Sequence, residues 1–274
     1  TCELCQVSKS TVHPPKESKT LTSAPLELLH IDLFGPHKYV DAKGYRYTFI
    51  IVDDFTRFVN VYLLKQKSDA TVKLQNHIKR EERRFSVSDK HKVVTIRSDN
   101  GGEFRNLALQ EYCQREGISH QFTVPHHLYQ NGVAERYIRS VMQIARTLLN
   151  DSHVPMCLWS HAVNTAGYLL NRWPCQRIQY DIPYRKYMGL TPDYKFLRAY
   201  GCAAYANIPL PVRDSKLSPT AVSGVFVGYD LERKAHLIYN PENGQVVSAI
   251  NVSFNERVFP FVTDEKVQNS ISKI

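Results

Sequence analysis

Long apolar runs are missing from this 274-residue chain. None approaches the ~18 consecutive apolar residues that cross a bilayer as a helix, so no helical membrane span and no membrane partner are expected. The start of the chain also lacks the basic, apolar and small-residue pattern of a secretory leader. It opens on Thr1 and a cysteine pair instead, and is read as a fragment or a product cut from something longer. Cysteine is sparse: of six, only Cys2 and Cys5 lie close together, which excludes a disulfide scaffold. Cys113, Cys157, Cys175 and Cys202 fall in or beside apolar runs and are expected to be reduced, buried thiols of an intracellular protein. Acidic residues are in deficit, 26 against 35 Lys plus Arg, which leaves a formal charge of +9 and a pI near 9.2. That balance suits an anionic partner, with nucleic acid the commonest. There is no internal repeat and no low-complexity array.

What is present is an ordinary globular composition, 43% hydrophobic and 22% charged. Residues 1–25 are rich in Lys, Ser, Thr and Pro and read as an arm. LLHIDLF, YRYTFIIV and RFVNVYLL then read as three strands of a meander, the last two separated by Asp53-Asp54. Ser68 opens a helix, with Leu74, Ile78 and Phe85 near one face. KVVTIRSD is a fourth strand, Asn106 caps a second helix that Gly117 ends, and ISHQFTV is a fifth strand. A long helix from about Val133 to Asn150 carries its apolar stripe on Ala134, Ile138, Val141, Ala145 and Leu148. A further helix is expected over Met156 to Arg172, and a linker where periodicity fades. Short β runs return from Leu197, the last of them QVVSAINVSF, as in a small barrel or sandwich. The expected organisation is an arm (1–25), an α/β core of a mixed five-stranded sheet flanked by helices (26–175), a linker (176–196), a small β-rich domain for DNA or multimer contact (197–258) and a tail (259–274).

Three acids stand out against this frame. Asp32 sits mid-strand in HIDLF, where an isolated carboxylate is costly unless paired or metal-bound. Asp99 ends the fourth strand in TIRSDNGGEF, ahead of Gly101 and Gly102, whose bare backbone permits close approach. Glu135 falls in the first turn of the long helix, one position from its apolar stripe. Each also has an ordinary use: a strand-end hydrogen bond for Asp32, a turn for Asp99, a helix-dipole position for Glu135. Taken together they repel one another, and all-oxygen ligation of magnesium or manganese is the usual resolution. Two such ions support in-line phosphoryl transfer. Asp53 and Asp54 read as turn residues, and Glu103 as an exposed acid leading a helix.

The ordered series HIDLFGP, IIVDDFTRF, IRSDNGGEF, QNGVAERYIRSVMQIARTLL, LWSHAVNTAGYLLNR, LRAYGCAAY and GVFVGYD resembles the integrases of copia-type LTR retrotransposons, within the retroviral-integrase and RNase H-like superfamily. Thirty-five residues lie between Asp99 and Glu135, the family's spacing. The resemblance implies an RNase H-like catalytic core and a metal-binding triad of Asp32, Asp99 and Glu135 that takes Mg²⁺ or Mn²⁺. The implied reaction trims the 3′ ends of element DNA and joins them to target DNA. A homo-multimer is implied too, working in the nucleus after a stage in a cytoplasmic virus-like particle. Cys2 and Cys5 match half of the family's zinc module, whose histidines are absent here, so Zn²⁺ is expected only in a longer parent chain. His126 and His127 read as part of a DNA-near loop.

DNA contacts are expected at Gly101, Gly102, Asn131, Arg136, Arg139 and Arg146, the arginines lying on Glu135's side of the helix. Two other readings compete: a nuclease with the same acids, and a degenerate or domesticated copy that only binds DNA or a partner. Retention of all three acids weighs against the second.

Overall fold

The computed structural model describes residues 22–85, 91–123, 131–209, 211, 213 and 215–262. β1 (Leu28–Phe34), β2 (Tyr47–Asp53) and β3 (Val59–Leu64) form the expected antiparallel meander. β4 (Thr95–Ser98) adds parallel to β1, and β5 (Ser119–Phe122) parallel to β4, giving the order β3-β2-β1-β4-β5. The helices are α1 (Asp69–Phe85), α2 (Leu107–Glu116), α3 (Gly132–Ser152), α4 (Trp159–Leu170) and α5 (Pro183–Met188). Asn106 caps α2 as its chemistry predicts, its side chain accepting from the Leu109 N–H at 2.9 Å, and Gly117 ends the helix at φ +70°.

Alternation along the strands decides what each face of the sheet meets. Leu29, Ile31, Phe49 and Ile51 pack with Leu74 and Ile78 of α1 and Leu109 and Tyr112 of α2. Ile50 and Val52 pack on the other face with Ala134 and Ile138 of α3. Asp32 pairs across the ladder with Ile50, and His30 with Val52, so both polar residues lie on the α3 side.

The second sheet is antiparallel, ordered β10-β6-β7-β8-β9, from β6 (Ala203–Asn207), β7 (Ala221–Asp230), β8 (Ala235–Asn240), β9 (Gln245–Ala249) and β10 (Val252–Asn255). The single run QVVSAINVSF therefore splits at Ile250-Asn251 and supplies both edges of the sheet. α4 packs between β3 and β7. Two glycines let it do so: a Cβ on Gly167 would lie 2.5 Å from the Val61 Cγ2, and one on Gly228 would lie 2.7 Å from the Thr165 Oγ1.

Other expectations change. The helix expected from Met156 begins as a 3₁₀ turn (Met156–Leu158), and α4 itself starts at Trp159. The segment read as a linker is folded against the first sheet's core. Its Tyr187 is buried, stacks on Phe58 at 4.4 Å and donates to the Glu81 Oε2 at 3.1 Å. All four described cysteines are free thiols, but Cys157 is exposed and Cys175 half-buried, not buried as expected. Among the described residues, no helix is long and apolar enough to cross a membrane.

Candidate active site

β1 and β4 pair in parallel with His30 beside Arg97, and two further steps of that register bring Asp32 level with Asp99. Strands so paired lie about 4.8 Å apart, which sets both acids at one end of the sheet. Asp32 Oδ1 accepts from the Leu33 N–H at 2.8 Å, and Asp99 Oδ1 accepts from the Gly101 N–H at 3.0 Å. Glu135 stands half-buried in the first turn of α3, which packs on β1 and β2.

Asn131, expected to touch DNA, is only 2% exposed. Its Nδ2 donates to the Ile31 carbonyl at 3.3 Å, tying the start of α3 to the strand residue before Asp32. That makes it a strut between the helix and the strand. Its Oδ1 is buried without a hydrogen-bond partner.

Electrostatics join the acids into one group. Burial, and then the like charges of Asp99, Glu135 and Glu103, push the Asp32 carboxyl up to about 7. Glu103 is thus a fourth member that sequence reasoning set aside: it is half-buried, not exposed, and it precedes α2 in a turn. Its carboxylate curls over Gly101, where a Cβ would lie 2.8 Å from the Glu103 Cδ and 3.0 Å from the Asp99 Oδ1. Its ion-pair partner is Lys67, at 3.8 Å. The spacing of DNGGE is the signal that would have found it, since two glycines fold the fifth residue back on the first. Among the described residues, no three acid, histidine or cysteine side chains stand close enough together to hold a metal ion as placed. The donor chemistry nonetheless fits a hard divalent cation, being all oxygen, with Lys67 at Glu103 against four acids.

A second acid pair lies close by and behaves differently. Asp53 ends β2 and takes the turn position expected, accepting from the Thr56 N–H at 2.8 Å, but it also accepts from the Leu26 N–H at 2.7 Å. Asp54 accepts from the His30 Nε2 at 2.9 Å and the Thr22 hydroxyl at 2.9 Å, and pairs with Arg57 at 3.1 Å. Both acids are buried, so they organise the core beyond making a turn.

Arg136, Arg139 and Arg146 lie on the exposed face of α3. Gly102 is exposed and has no atom near its missing Cβ, so only Gly101 is needed for close approach, and neither glycine takes positive φ. Cys2, Cys5, His126 and His127 lie outside the described residues.

Comparison with known proteins agrees with this layout. Residues 22–127 match the integrase core domain family, and residues 202–268 match the retroviral polymerase SH3-like domain family. The Pol polyprotein of the Arabidopsis thaliana transposon RE2 is 36% identical over 96% of the chain, and that of the Nicotiana tabacum transposon TNT 1-94 is 32% identical over 98%. The chain spans only 17% and 20% of their lengths. A chain from the structure of the simian T-cell lymphotropic virus intasome in complex with the PP2A regulatory subunit B56 gamma shares the fold. It has a TM-score of 0.53 at 16% identity, covering 93% of this chain and 87% of that one. Two family domains in chain order, and similarity to these transposon polyproteins along nearly the whole of this chain, make it a member of the copia-type retrotransposon integrases, within the retroviral integrase family.

Proposed function

We propose that the chain catalyses metal-dependent phosphoryl transfer on DNA, trimming the 3′ ends of element DNA and joining them to target DNA. The observation that carries this reading is the group of acids at one end of the first sheet, in which burial, and then like charges, push Asp32 up to about 7. Asp32 and Asp99 would hold Mg²⁺ or Mn²⁺ from adjacent strands, and Glu135 would complete the set from the helix. Bound there, a pair of divalent ions supplies activation of the attacking oxygen and stabilisation of the leaving one. The protein's part is positional. Asn131 ties Glu135's helix to Asp32's strand, and Gly101 turns the backbone so that Asp99 meets Glu103. The basic balance of +9 favours phosphate-rich substrates. The likeness to an intasome chain supports assembly into a homo-multimer. Work in the nucleus after a cytoplasmic particle stage is part of the same proposal.

The test is disintegration, the reverse of strand transfer, on a branched oligonucleotide with Mn²⁺, run beside the Glu135→Gln variant. Rejoined product that disappears in the variant is the expected result. Cleavage without rejoining would point to a nuclease, and salt-sensitive binding without either reaction would point to a binding protein.

A further inference from the structure

Glu135 rides on a helix whose seat against the sheet is apolar. Ala134, Ile138, Val141 and Ala145 form the buried stripe of α3. Hydrophobic burial has no direction, so it holds the helix down but fixes its roll about the axis only weakly. A metal ligand has to stand within about 0.5 Å of its working place, and that takes directional bonds. Two such bonds flank Glu135.

The first is the Asn131 side chain, which donates to the Ile31 carbonyl at 3.3 Å. The second is the Tyr137 hydroxyl, which donates to the Arg57 carbonyl at 2.8 Å, in the turn between β2 and β3. Residues two apart on an α-helix stand about 200° apart. Glu135 and Tyr137 therefore lie on opposite flanks of the stripe, and a roll that lifts one presses the other inward.

The turn that receives Tyr137 is itself tied to the sheet. Arg57 sits at φ +61°, a left-handed conformation that a non-glycine residue keeps only where its surroundings fix it. Its guanidinium pairs with Asp54 at 3.1 Å. The same Asp54 oxygen bonds the His30 Nε2 at 2.9 Å, and the Asp54 N–H donates to the Leu28 carbonyl at 2.9 Å. On the far side of the turn the Val59 N–H donates to the Asn171 Oδ1 at 2.8 Å, and the Asn171 Nδ2 donates to the Val59 carbonyl at 2.7 Å.

These bonds close a circuit. It runs from α3 through Tyr137, Arg57 and Asp54 to His30 on β1, along one residue to Ile31, and back through Asn131 to the start of α3. Asp32 is the next residue of that strand. A turn that only joined two strands would need no bond to α3. We propose that Tyr137 and Arg57 are positioning residues for the acids: the β2–β3 turn locks the roll of α3 and so sets Glu135 against Asp32 and Asp99. This deepens the proposed function, and rests on it in assigning a divalent ion to those acids.

Tyr137→Phe tests it, because the ring stays and only the hydroxyl bond is lost. Two readouts on the whole chain decide. Amide exchange at Glu135, whose N–H donates to the Asn131 carbonyl at 3.2 Å, is expected to quicken at least threefold in the metal-free chain. Mn²⁺ affinity by calorimetry is expected to weaken about three- to tenfold, since loss of a bond that orients a ligand costs up to tenfold or more. Tyr187→Phe is the companion. It removes a comparable buried hydroxyl bond, to Glu81, in the core on the opposite face of the first sheet, and should leave both readouts at the parent value. Unchanged exchange in Tyr137→Phe would overturn the inference, as would unchanged affinity in a parent that binds Mn²⁺. Equal changes in Tyr187→Phe would overturn it too, since they would mark general loosening. A parent that binds no Mn²⁺ defeats the catalytic reading alone, because exchange in the metal-free chain still judges the brace.

Discussion

Two groups of carboxylates lie around β1, and they are built on opposite terms. Around Asp54, burial raises the carboxyl, but the His30 hydrogen bond and the Arg57 charge outweigh it and leave Asp54 below its usual range. Around Asp32 no base answers the burial, and burial, with three further acids adding to it, raises the carboxyl to about 7. The first group is a finished structural network, with every acid matched to a donor. The second is costly to the fold as it stands, which is the character of a site shaped for something bound. Acid content alone would not separate them; the partners do.

Substitution sharpens the contrast most strongly through activity. Asp99→Asn or Glu135→Gln should reduce disintegration by a factor on the order of a thousand, since ion-held oxygens supply several kcal/mol of transition-state stabilisation. The urea midpoint of either variant should hold steady or rise. Asp54→Ala should do the reverse. It leaves the buried His30 and the half-buried Arg57 without their partner, at a cost of up to about 3 kcal/mol, seen as a clear fall in the urea midpoint. If Asp54→Ala proves as stable as the parent, the two groups are not opposites and the comparison fails.

The pH dependence of stability distinguishes them next. The folded Asp32 holds its proton to about 7, whereas in the unfolded chain it ionises near the ordinary carboxylate value. Below about pH 4 both states are protonated and Asp32 costs folding nothing. As pH climbs toward 7 the unfolded state alone gains by ionising, so stability falls by at most about 4 kcal/mol, the size of the shift. Asp32→Asn should flatten that decline in a series of thermal melts. Mn²⁺ should raise the melting temperature of the parent and leave the variant nearly unmoved, because a ligand stabilises only the state that binds it.

The fold was largely legible because its signals are local. Alternation in β1 to β3, the Asn106 cap, the Gly117 stop and the α3 stripe each follow from short-range geometry. Asp32 showed itself as a charge inside an apolar strand. What escaped depends on contacts distant in sequence. Tyr187 looked like linker because its partners, Phe58 and Glu81, are more than a hundred residues away. Asn131 looked like a surface polar residue because nothing nearby reveals its bond to Ile31. Glu103 was misjudged in exposure, not in position: it lies ahead of the helix that Asn106 caps, as expected, but the turn through Gly101 folds its carboxylate back toward Asp99.

The two adjacent glycines give the smallest and most local form of the same comparison. A methyl on Gly102 meets nothing within 4 Å, so Gly102→Ala should leave stability and metal affinity within experimental error of the parent. A methyl on Gly101 would stand 2.9 Å from the Glu103 Oε2 and 3.0 Å from the Asp99 Oδ1. Neither glycine needs positive φ, so backbone strain plays no part and the whole effect passes through those two carboxylates. Both are side-chain ends and can swing aside, so Gly101→Ala should cost the fold no more than about 1 kcal/mol. The swing takes Asp99 from its place beside Asp32, and Mn²⁺ affinity by calorimetry should weaken about tenfold, the usual price of disturbing a ligand's support. Equal metal affinities in the two variants would mean that Asp99 is not held at the site by this turn.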